Sequence, residues 1–326
     1  MRFSKICLIA VAAAAANTLA SAKSKTKSKK QTPPPPAPAP SVPMLCGSGF
    51  NALTINDNAR AVINGGTYDA SCIIVSKDFF VINGMYVGSG ASATVCAATL
   101  FKGGPGGSGN PAVDVKAGAT LAVKNAGVIE GGDNNGESGI YLGGFGLYVS
   151  GNFTAEAKAI IAGDVTIRGG LEFDSAQRSS AIAVELNTML EVYGGEIGTI
   201  DSYGSLGIQA ISNTTAHAKI CGGIYNAGWT LTSFYNGTVS VDVYGKNLVY
   251  AHDVADQNKA ILKGDLCDGS KINVVVTTKV LNSTAPTVNL FNDCRMCTVP
   301  TFAECGGGGG GAKVRSARLY IDTISK

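Results

Sequence analysis

Six carboxylates in polar, loop-like stretches are the residues of this chain whose type could support acid–base chemistry. They are Asp133, Glu137, Asp174, Asp201, Asp253 and Asp256. Two converging carboxylates can act as general acid and base in the cleavage of a glycosidic bond. Aspartate also favours turns because its side chain accepts hydrogen bonds from nearby backbone, and we favour this interpretation for most of the six. If several of these loops stack on one face, they would line a shallow acidic groove for a cation or a sugar.

Histidines and aromatic residues are the next candidates. The chain has two histidines, His217 and His252. His217 precedes an apolar residue expected inside the fold, so we expect His217 to point outward as a surface residue rather than to act as a general base. Outward-facing aromatic rings would provide a surface for stacking sugars, although core packing explains them equally well. The aromatic candidates are Tyr193, Tyr203, Tyr225, Trp229, Tyr235 and Tyr244.

Nine cysteines occur, and Cys7 lies in the expected signal peptide. An even number of cysteines in a secreted chain favours disulfides, although eight cysteines allow 105 pairings. Cys221 is expected either in a disulfide or as a buried free thiol. The Cys294-x-x-Cys297 spacing lacks the second pair that a zinc site requires, so we predict neither a metal nor a cofactor. The eight disulfide candidates are Cys46, Cys72, Cys96, Cys221, Cys267, Cys294, Cys297 and Cys305.

Four Asn-x-Thr sequons mark candidate sites of N-glycosylation. In a chain secreted by a eukaryote such motifs are expected on outward loops, whereas in a bacterial chain they carry no meaning. The four asparagines are Asn152, Asn213, Asn236 and Asn282.

The elements that must position these residues are short strands followed by glycine corners. Two copies, residues 190–197 and 218–224, alternate apolar residues and carry Gly-Gly. Alternation of period two places apolar side chains on one face of a strand, and glycine allows the positive φ of a sharp turn. Further copies begin at positions 121, 147, 165 and 241, so that consecutive copies are separated by 18 to 28 residues. This irregular repeat predicts an all-β fold, a right-handed parallel β-helix (solenoid) with capping elements at both ends.

The composition divides the chain into four expected regions. Residues 1–22 have a basic start, an apolar centre and a small-x-small end, as in a secretory signal peptide. Residues 23–43 form a disordered Lys/Ser stretch and then a Pro-rich linker. Residues 44–290 form the β-helix, and residues 291–326 form a Cys-pinned cap with a Gly-rich tail that is expected to return as a strand. We expect no transmembrane segment after signal cleavage.

The formal net charge of +3 is distributed unevenly. Without Arg2, Lys5 and the linker lysines the chain has 19 basic and 23 acidic residues, so the folded part is weakly acidic. This charge excludes a general affinity for nucleic acid. The linker lysines are either a solvated spacer or a polycationic tether that binds anionic polysaccharide, silica or a membrane surface. They are Lys23, Lys25, Lys27, Lys29 and Lys30.

The repeat architecture of residues 50–280 resembles the pectin-lyase-like superfamily of right-handed parallel β-helices. The polygalacturonase-type enzymes of that superfamily carry Asn-x-Asp, Asp-Asp, Gly-His-Gly and Arg-x-Lys motifs, and none of these occurs here. Its lyases require clustered basic residues, whereas the arginines of the folded part are scattered along the sequence: Arg60, Arg168, Arg178, Arg295, Arg315 and Arg318. The resemblance therefore implies the fold without the catalytic signatures.

We expect a secreted protein, extracellular or associated with the cell wall, that is structural or carbohydrate-binding rather than catalytic. The expected partner is a polysaccharide or an anionic cell-wall surface. The first alternative is a polysaccharide lyase or glycoside hydrolase that uses the loop carboxylates, and the second is an adhesin held by the lysine tether. An enzyme requires carboxylates, or a carboxylate and a basic residue, to converge in one groove. A binding protein requires aromatic and polar side chains along one face.

Overall fold

The computed structural model describes residues 51–72, 83–105, 110–134, 143–173, 175–305 and 319–322. These residues belong to one compact unit, Val42–Lys326. The expected signal peptide and linker lie outside the described residues, as do Cys46, Glu137 and Asp174 and the side chain of Cys72. The described part contains 22 strands and two short 3-10 helices, Ala70–Cys72 and Ala303–Cys305.

Eight strands form the first face of a parallel coil, named face A. Each pairs in parallel with the preceding and the following strand of the face. The pairing aligns one buried apolar residue from every strand, from Leu53 through Trp229 to Val276. The strands are β1 (Leu53–Ile55), β4 (Met85–Val87), β7 (Val113–Val115), β10 (Leu147–Ser150), β13 (Ile182–Glu185), β15 (Leu206–Ile211), β17 (Trp229–Phe234) and β20 (Lys271–Leu281).

Faces B and C complete the coil. Face B consists of β2 (Arg60–Ile63), β5 (Ser92–Val95), β8 (Thr120–Val123), β11 (Ala157–Ile161), β14 (Thr188–Ile197), β16 (Thr215–Tyr225), β18 (Thr238–His252) and β21 (Thr287–Phe291). Face C consists of β3 (Gly66–Asp69), β6 (Thr99–Lys102), β9 (Val128–Glu130) and β12 (Thr166–Arg168), and the ends of β14 and β16 continue it. Both faces pair in parallel and bury alternate residues, as a strand period of two requires.

Successive A, B and C strands make eight coils, numbered from the N-terminal end. Coil 1 contains β1–β3, coil 4 contains β10–β12, and coil 8 contains only β20 and β21. The connections between faces are named the AB, BC and CA corners. The prediction of an all-β fold with parallel strands wound as a β-helix is confirmed.

The copies of the repeat identified in the sequence do not all belong to the same face of the coil. The copies at positions 121, 190, 218 and 241 lie on face B, whereas those at 147 and 165 belong to faces A and C of coil 4. In true register Leu121 pairs with Ala159, and Ala159 pairs with Leu190. Because all three faces bury apolar residues with the same alternation, the pattern shows that strands repeat but not which face each occupies.

Residues 245–275 depart from the coil. The end of β18, β19 (Lys259–Leu266) and the start of β20 form an antiparallel three-stranded extension between coils 7 and 8. At the other end of the coil, β22 (Leu319–Asp322) pairs antiparallel with β2, so the tail returns as a strand as expected.

Three disulfides bind the segment 292–305 back along the coil. Cys294 is bonded to Cys267, Cys297 to Cys221, and Cys305 to Cys96 of coil 2. The alternative of a free thiol at Cys221 is wrong. Ile220 points into the core, so strand alternation directs Cys221 outward, where Cys297 meets it.

Candidate functional site

The CA corners of coils 2 to 5 stack directly on one another. Glycine pairs make this possible: a Cβ on Gly170 would lie 1.9 Å from the carbonyl oxygen of Gly132, and one on Gly144 would lie 2.0 Å from that of Asn110. These glycines do not have positive φ, so close approach of neighbouring backbones requires them. Hydrogen bonds of 2.8 Å from Gly144 N to Gly132 O and from Gly170 N to Gly144 O join the stack.

An ion-pair network around Glu130 lies beside these glycines. Parallel pairing of β6, β9 and β12 places Lys102, Glu130 and Arg168 in register on the outer side of face C. Glu130 Oε2 accepts hydrogen bonds from Arg168 Nη2 at 2.6 Å and Nε at 3.1 Å. Glu130 Oε1 accepts one from Arg178 Nη1 at 3.2 Å and lies 3.8 Å from Lys102 Nζ. Three cations therefore surround one buried carboxylate.

Two of the predicted loop carboxylates extend this network. Asp133 Oδ2 lies 3.7 Å from Lys102 Nζ, and Asp201 Oδ2 lies 3.4 Å from Arg178 Nε. Backbone hydrogen bonds fix the stacked loops, because Arg178 N donates to Asp201 O and Tyr203 N donates to Arg178 O, both at 2.9 Å. Two of the arginines that look scattered in the sequence, Arg168 and Arg178, thus meet at Glu130.

The network keeps Glu130 ionised. Burial alone would raise the pKa of Glu130, but the hydrogen bonds and charge of Arg168, together with Lys102 and Arg178, lower it below its ordinary value. A carboxylate with a lowered pKa is a poor proton donor at neutral pH. Glu130 therefore holds the guanidinium groups of Arg168 and Arg178 in place.

Glu172, at the CA corner of coil 4, has a raised pKa, whereas the pKa of Glu130 is lowered. Its side chain is buried, and its Oε1 has no hydrogen-bond partner. Burial raises the pKa of Glu172, and a hydrogen bond with Tyr203 opposes this shift only in part. A buried carboxyl with a raised pKa beside a charged cluster has the character of a functional residue.

Three large apolar side chains are exposed at the same corner. Ile200 is 95% exposed, Tyr203 57% and Phe173 36%. Exposed aromatic rings next to ordered arginines and carboxylates can stack on the apolar faces of a ligand while the charged groups bind its hydroxyls. We name this surface, formed by Glu130, Arg168, Glu172, Phe173, Arg178, Asp201 and Tyr203, the CA platform.

A further buried carboxylate, Asp114, lies on the outer side of face A. Asp114 Oδ2 accepts from Lys116 Nζ at 2.8 Å, while its Oδ1 has no partner. The ammonium of Lys116 lies 5.8 Å and 5.7 Å from the ring centroids of Tyr86 and Tyr148. Burial raises the pKa of Asp114 more than Lys116 and Asn83 lower it.

A groove of about 640 Å³ follows the BC corner from coil 2 to the turn after β19. Its lining includes the carboxylates Asp164, Glu196 and Asp268 and no aromatic side chain. Both carboxylate oxygens of Asp268 are used in hydrogen bonds within the protein: Oδ2 accepts from Gly223 N at 2.8 Å and Oδ1 from Ser270 Oγ at 2.6 Å. The groove lacks the aromatic rings that favour the CA platform.

The other loop carboxylates and the histidines do not join the platform. Asp253 and Asp256 each accept a hydrogen bond from the backbone N–H two residues ahead, as turn-forming aspartates do. His217 points outward as predicted, and its Nε2 lies 3.1 Å from Asp242 Oδ2. His252 packs edge-on against Tyr250 in the antiparallel extension.

The six aromatic candidates separate into three groups. Tyr225 and Trp229 lie in the core with ring centroids 5.1 Å apart. Tyr193 and Tyr244 are buried outside the coil, where Cys297 and Phe302 pack against them. Only Tyr203 and Tyr235 are exposed, at 57% and 51%, and they lie at different corners. Of the six, Tyr203 alone is an exposed ring at the platform.

Sequence reasoning missed Glu130 and Glu172. A signal for Glu130 exists, because Lys102, Glu130 and Arg168 each follow a buried apolar residue and precede a Gly-Gly pair. Aligning the units on their glycines would have placed the three charges in one row. Glu172 offers no comparable signal, because its burial depends on how the loops stack.

Comparison with protein-family models, with curated proteins and with solved structures finds no match to this chain. In the described part of the chain, no three or more His, Cys, Asp and Glu side chains are grouped so that they could hold a metal ion. That part likewise contains no helix of sufficient length and hydropathy to span a membrane.

Proposed function

We propose that this is a secreted, extracellular or cell-wall-associated β-helix of the right-handed, pectin-lyase-like kind that binds an extended polysaccharide on the CA platform. The observation that carries the proposal is the exposed ring of Tyr203 beside the ordered arginines of the Glu130 network. The ring would stack on a sugar, while Arg168 and Asp201 would bind its hydroxyls.

The repeating architecture supports an extended ligand. Coils repeat about every 4.8 Å along the axis, so corner side chains form rows parallel to it. The platform spans the corners of three consecutive coils. Such a surface suits several consecutive sugars of a polymer better than one small molecule. The three disulfides and the signal-like first 22 residues fit an extracellular location.

Binding to immobilised polysaccharides tests this function. We expect Tyr203→Ala to weaken binding of the full secreted chain about tenfold, which corresponds to one lost stacking contact of about 1.4 kcal/mol. Tyr235→Ala is the matched control, because Tyr235 is similarly exposed but lies at the AB corner. Equal affinities of Tyr203→Ala and the parent protein would reject the CA platform as the binding surface.

A version lacking residues 23–43 separates the platform from the lysine tether. Binding that survives this deletion supports a site on the coil. Binding that is lost with the deletion would favour an adhesin anchored by the lysines, with the coil as its scaffold.

Glu172 favours a second candidate function, glycoside hydrolysis. A carboxyl with a raised pKa can protonate a leaving glycosidic oxygen, while an ionised carboxylate activates the attacking water. Asp201 fits the second role, because a hydrogen bond with Thr199 and the charge of Arg178 lower its pKa. Release of reducing ends by the parent protein and its loss in Glu172→Gln would establish this activity. Polysaccharides that stay intact while bound would leave binding as the function.

A further inference from the structure

The four sequon asparagines all lie at the AB corner. Asn152 belongs to coil 4, Asn213 to coil 6, Asn236 to coil 7 and Asn282 to coil 8, each between the A strand and the B strand of its coil. The four are exposed. Nothing in the spacing of the sequons along the sequence reveals this common edge, which exists only because the coils stack.

Backbone geometry explains why asparagine recurs there. Asn213, Asn236 and Asn282 have φ of 64°, 63° and 50°, a left-handed conformation that asparagine tolerates better than most residues. Hydrogen bonds join the corners, since Asn236 N donates to Asn282 O at 3.0 Å and Thr238 N donates to Thr214 O at 2.9 Å. The edge is therefore an ordered row.

Two exposed aromatic side chains accompany the row. Phe153, the middle residue of the first sequon, is 67% exposed, and Tyr235, which precedes Asn236, is 51% exposed. Apolar rings with this exposure gain free energy when another group covers them. Each ring belongs to the residue next to a sequon asparagine in the sequence, so a sugar on that asparagine would be attached beside an exposed ring.

We propose that the AB corner is a glycosylated edge, with N-linked glycans on Asn152, Asn213, Asn236 and Asn282 and with Phe153 and Tyr235 covered by the sugars nearest the protein. In the modification, a bond forms between Asn Nδ2 and the anomeric carbon of an activated oligosaccharide donor. The bond from that carbon to the donor's phosphate breaks, and Nδ2 gives up one proton. The proposal rests on secretion of the chain and not on carbohydrate binding by the CA platform.

Mass spectrometry of the full chain, secreted from a eukaryotic host, tests the proposal. Enzymatic release of N-glycans in heavy-oxygen water converts each glycosylated asparagine to a labelled aspartate. We expect label at all four sites, and label on two or more coils supports the row. A secreted protein with at most one labelled asparagine would overturn the proposal.

Asn236→Gly is the control variant, because glycine keeps the left-handed turn while removing the glycan. We expect it to lose one label and to fold as the parent does. Tyr235→Ser tests the covering of the ring: it should lower the melting temperature of the glycosylated protein more than that of the enzymatically deglycosylated protein. Equal decreases in both forms would contradict contact between the sugar and Tyr235. The polysaccharide-binding assays with Tyr203→Ala test the CA platform separately, so either proposal can fail without the other.

Discussion

Two buried carboxylates of coil 3 lie on similar strands, but the pKa of one is lowered and that of the other is raised. Glu130 at the end of its face C strand and Asp114 on face A both point outward from parallel strands, and they are 8% and 3% exposed. Glu130 has three cations around it and a lowered pKa, whereas Asp114 has one cation, an unpartnered oxygen and a raised pKa. The number of partners, and not burial alone, therefore decides whether a buried acid stabilises the fold as an anion.

The two regions also differ in how closely neighbouring coils approach. At the CA corner a Cβ on Gly170 would lie 1.9 Å from a backbone oxygen, whereas on face A a Cβ on Gly207 would meet only Ile182 O at 3.7 Å. Glycine is thus obligatory at the corner that carries the ion network and replaceable on face A. The close approach brings the charged groups of consecutive corners together.

The largest expected effect comes from breaking the glycine stack. Gly170→Ala should lower the free energy of unfolding by about 4 kcal/mol or more, because backbone atoms cannot move away from the new methyl group. Gly207→Ala, the matched control on face A, should change it by less than about 1 kcal/mol. Urea unfolding of both variants measures the contrast. Similar losses of stability in the two variants would show that the backbone at the CA corner can move to accommodate a methyl group.

Removing one cation from each carboxylate tests the difference in partners. Arg168→Met should cost about 3 kcal/mol, because Glu130 is left buried with an incomplete set of partners. Lys116→Met should cost only about 1 kcal/mol, because Asp114 can relieve its unpaired charge by binding a proton. The free energy of unfolding of both variants, measured at neutral pH, tests this expected difference. A larger loss of stability in Lys116→Met than in Arg168→Met would contradict the role given to the number of partners.

Glu130→Gln should cost about 2 kcal/mol at pH 7 and flatten the acid side of the stability profile. The pKa of Glu130 is lower in the fold than its ordinary 4.5, so its ionisation contributes stability that is present above pH 4.5 and lost as the pH falls through the folded pKa. The free energy of unfolding measured between pH 7 and pH 3 should decrease less steeply in the variant. If stability depends on pH in the same way in the variant and in the parent, ionisation of Glu130 does not contribute to the acid dependence of stability.

Asp114→Asn should have the smallest effect and the opposite sign, a gain of about 0.5 kcal/mol at pH 7. The raised pKa of Asp114 means that its contribution is fully present below its ordinary 3.8 and lost as the pH rises through the folded pKa. The amide avoids this loss and offers a donor to the unpartnered Oδ1 of Asn83. Stability of the variant relative to the parent should therefore increase as the pH rises. A constant difference would argue against a raised pKa.

The sequence was sufficient for the class of fold and for part of the site. Alternation around Leu190 and Ala218, followed by Gly194-Gly195 and Gly222-Gly223, predicted strands with sharp corners, and Gly195 and Gly223 have the expected positive φ of 97° and 103°. Asp133, Asp201 and Tyr203 were recognised as candidates by residue type. Their convergence with Glu130 and Arg178 was not predictable, because loops of different length separate them along the chain.

Residue order alone determined that this chain forms short strands with glycine corners, because alternation and backbone freedom are local properties. The even number of cysteines likewise predicted disulfides. Tertiary structure decided which strands share a face, which cysteines pair, that four sequons occupy one edge, and that Glu130 has three cationic partners while Asp114 has one. These features depend on register between residues distant in sequence. Register is fixed only when the buried rows of successive coils pack against one another.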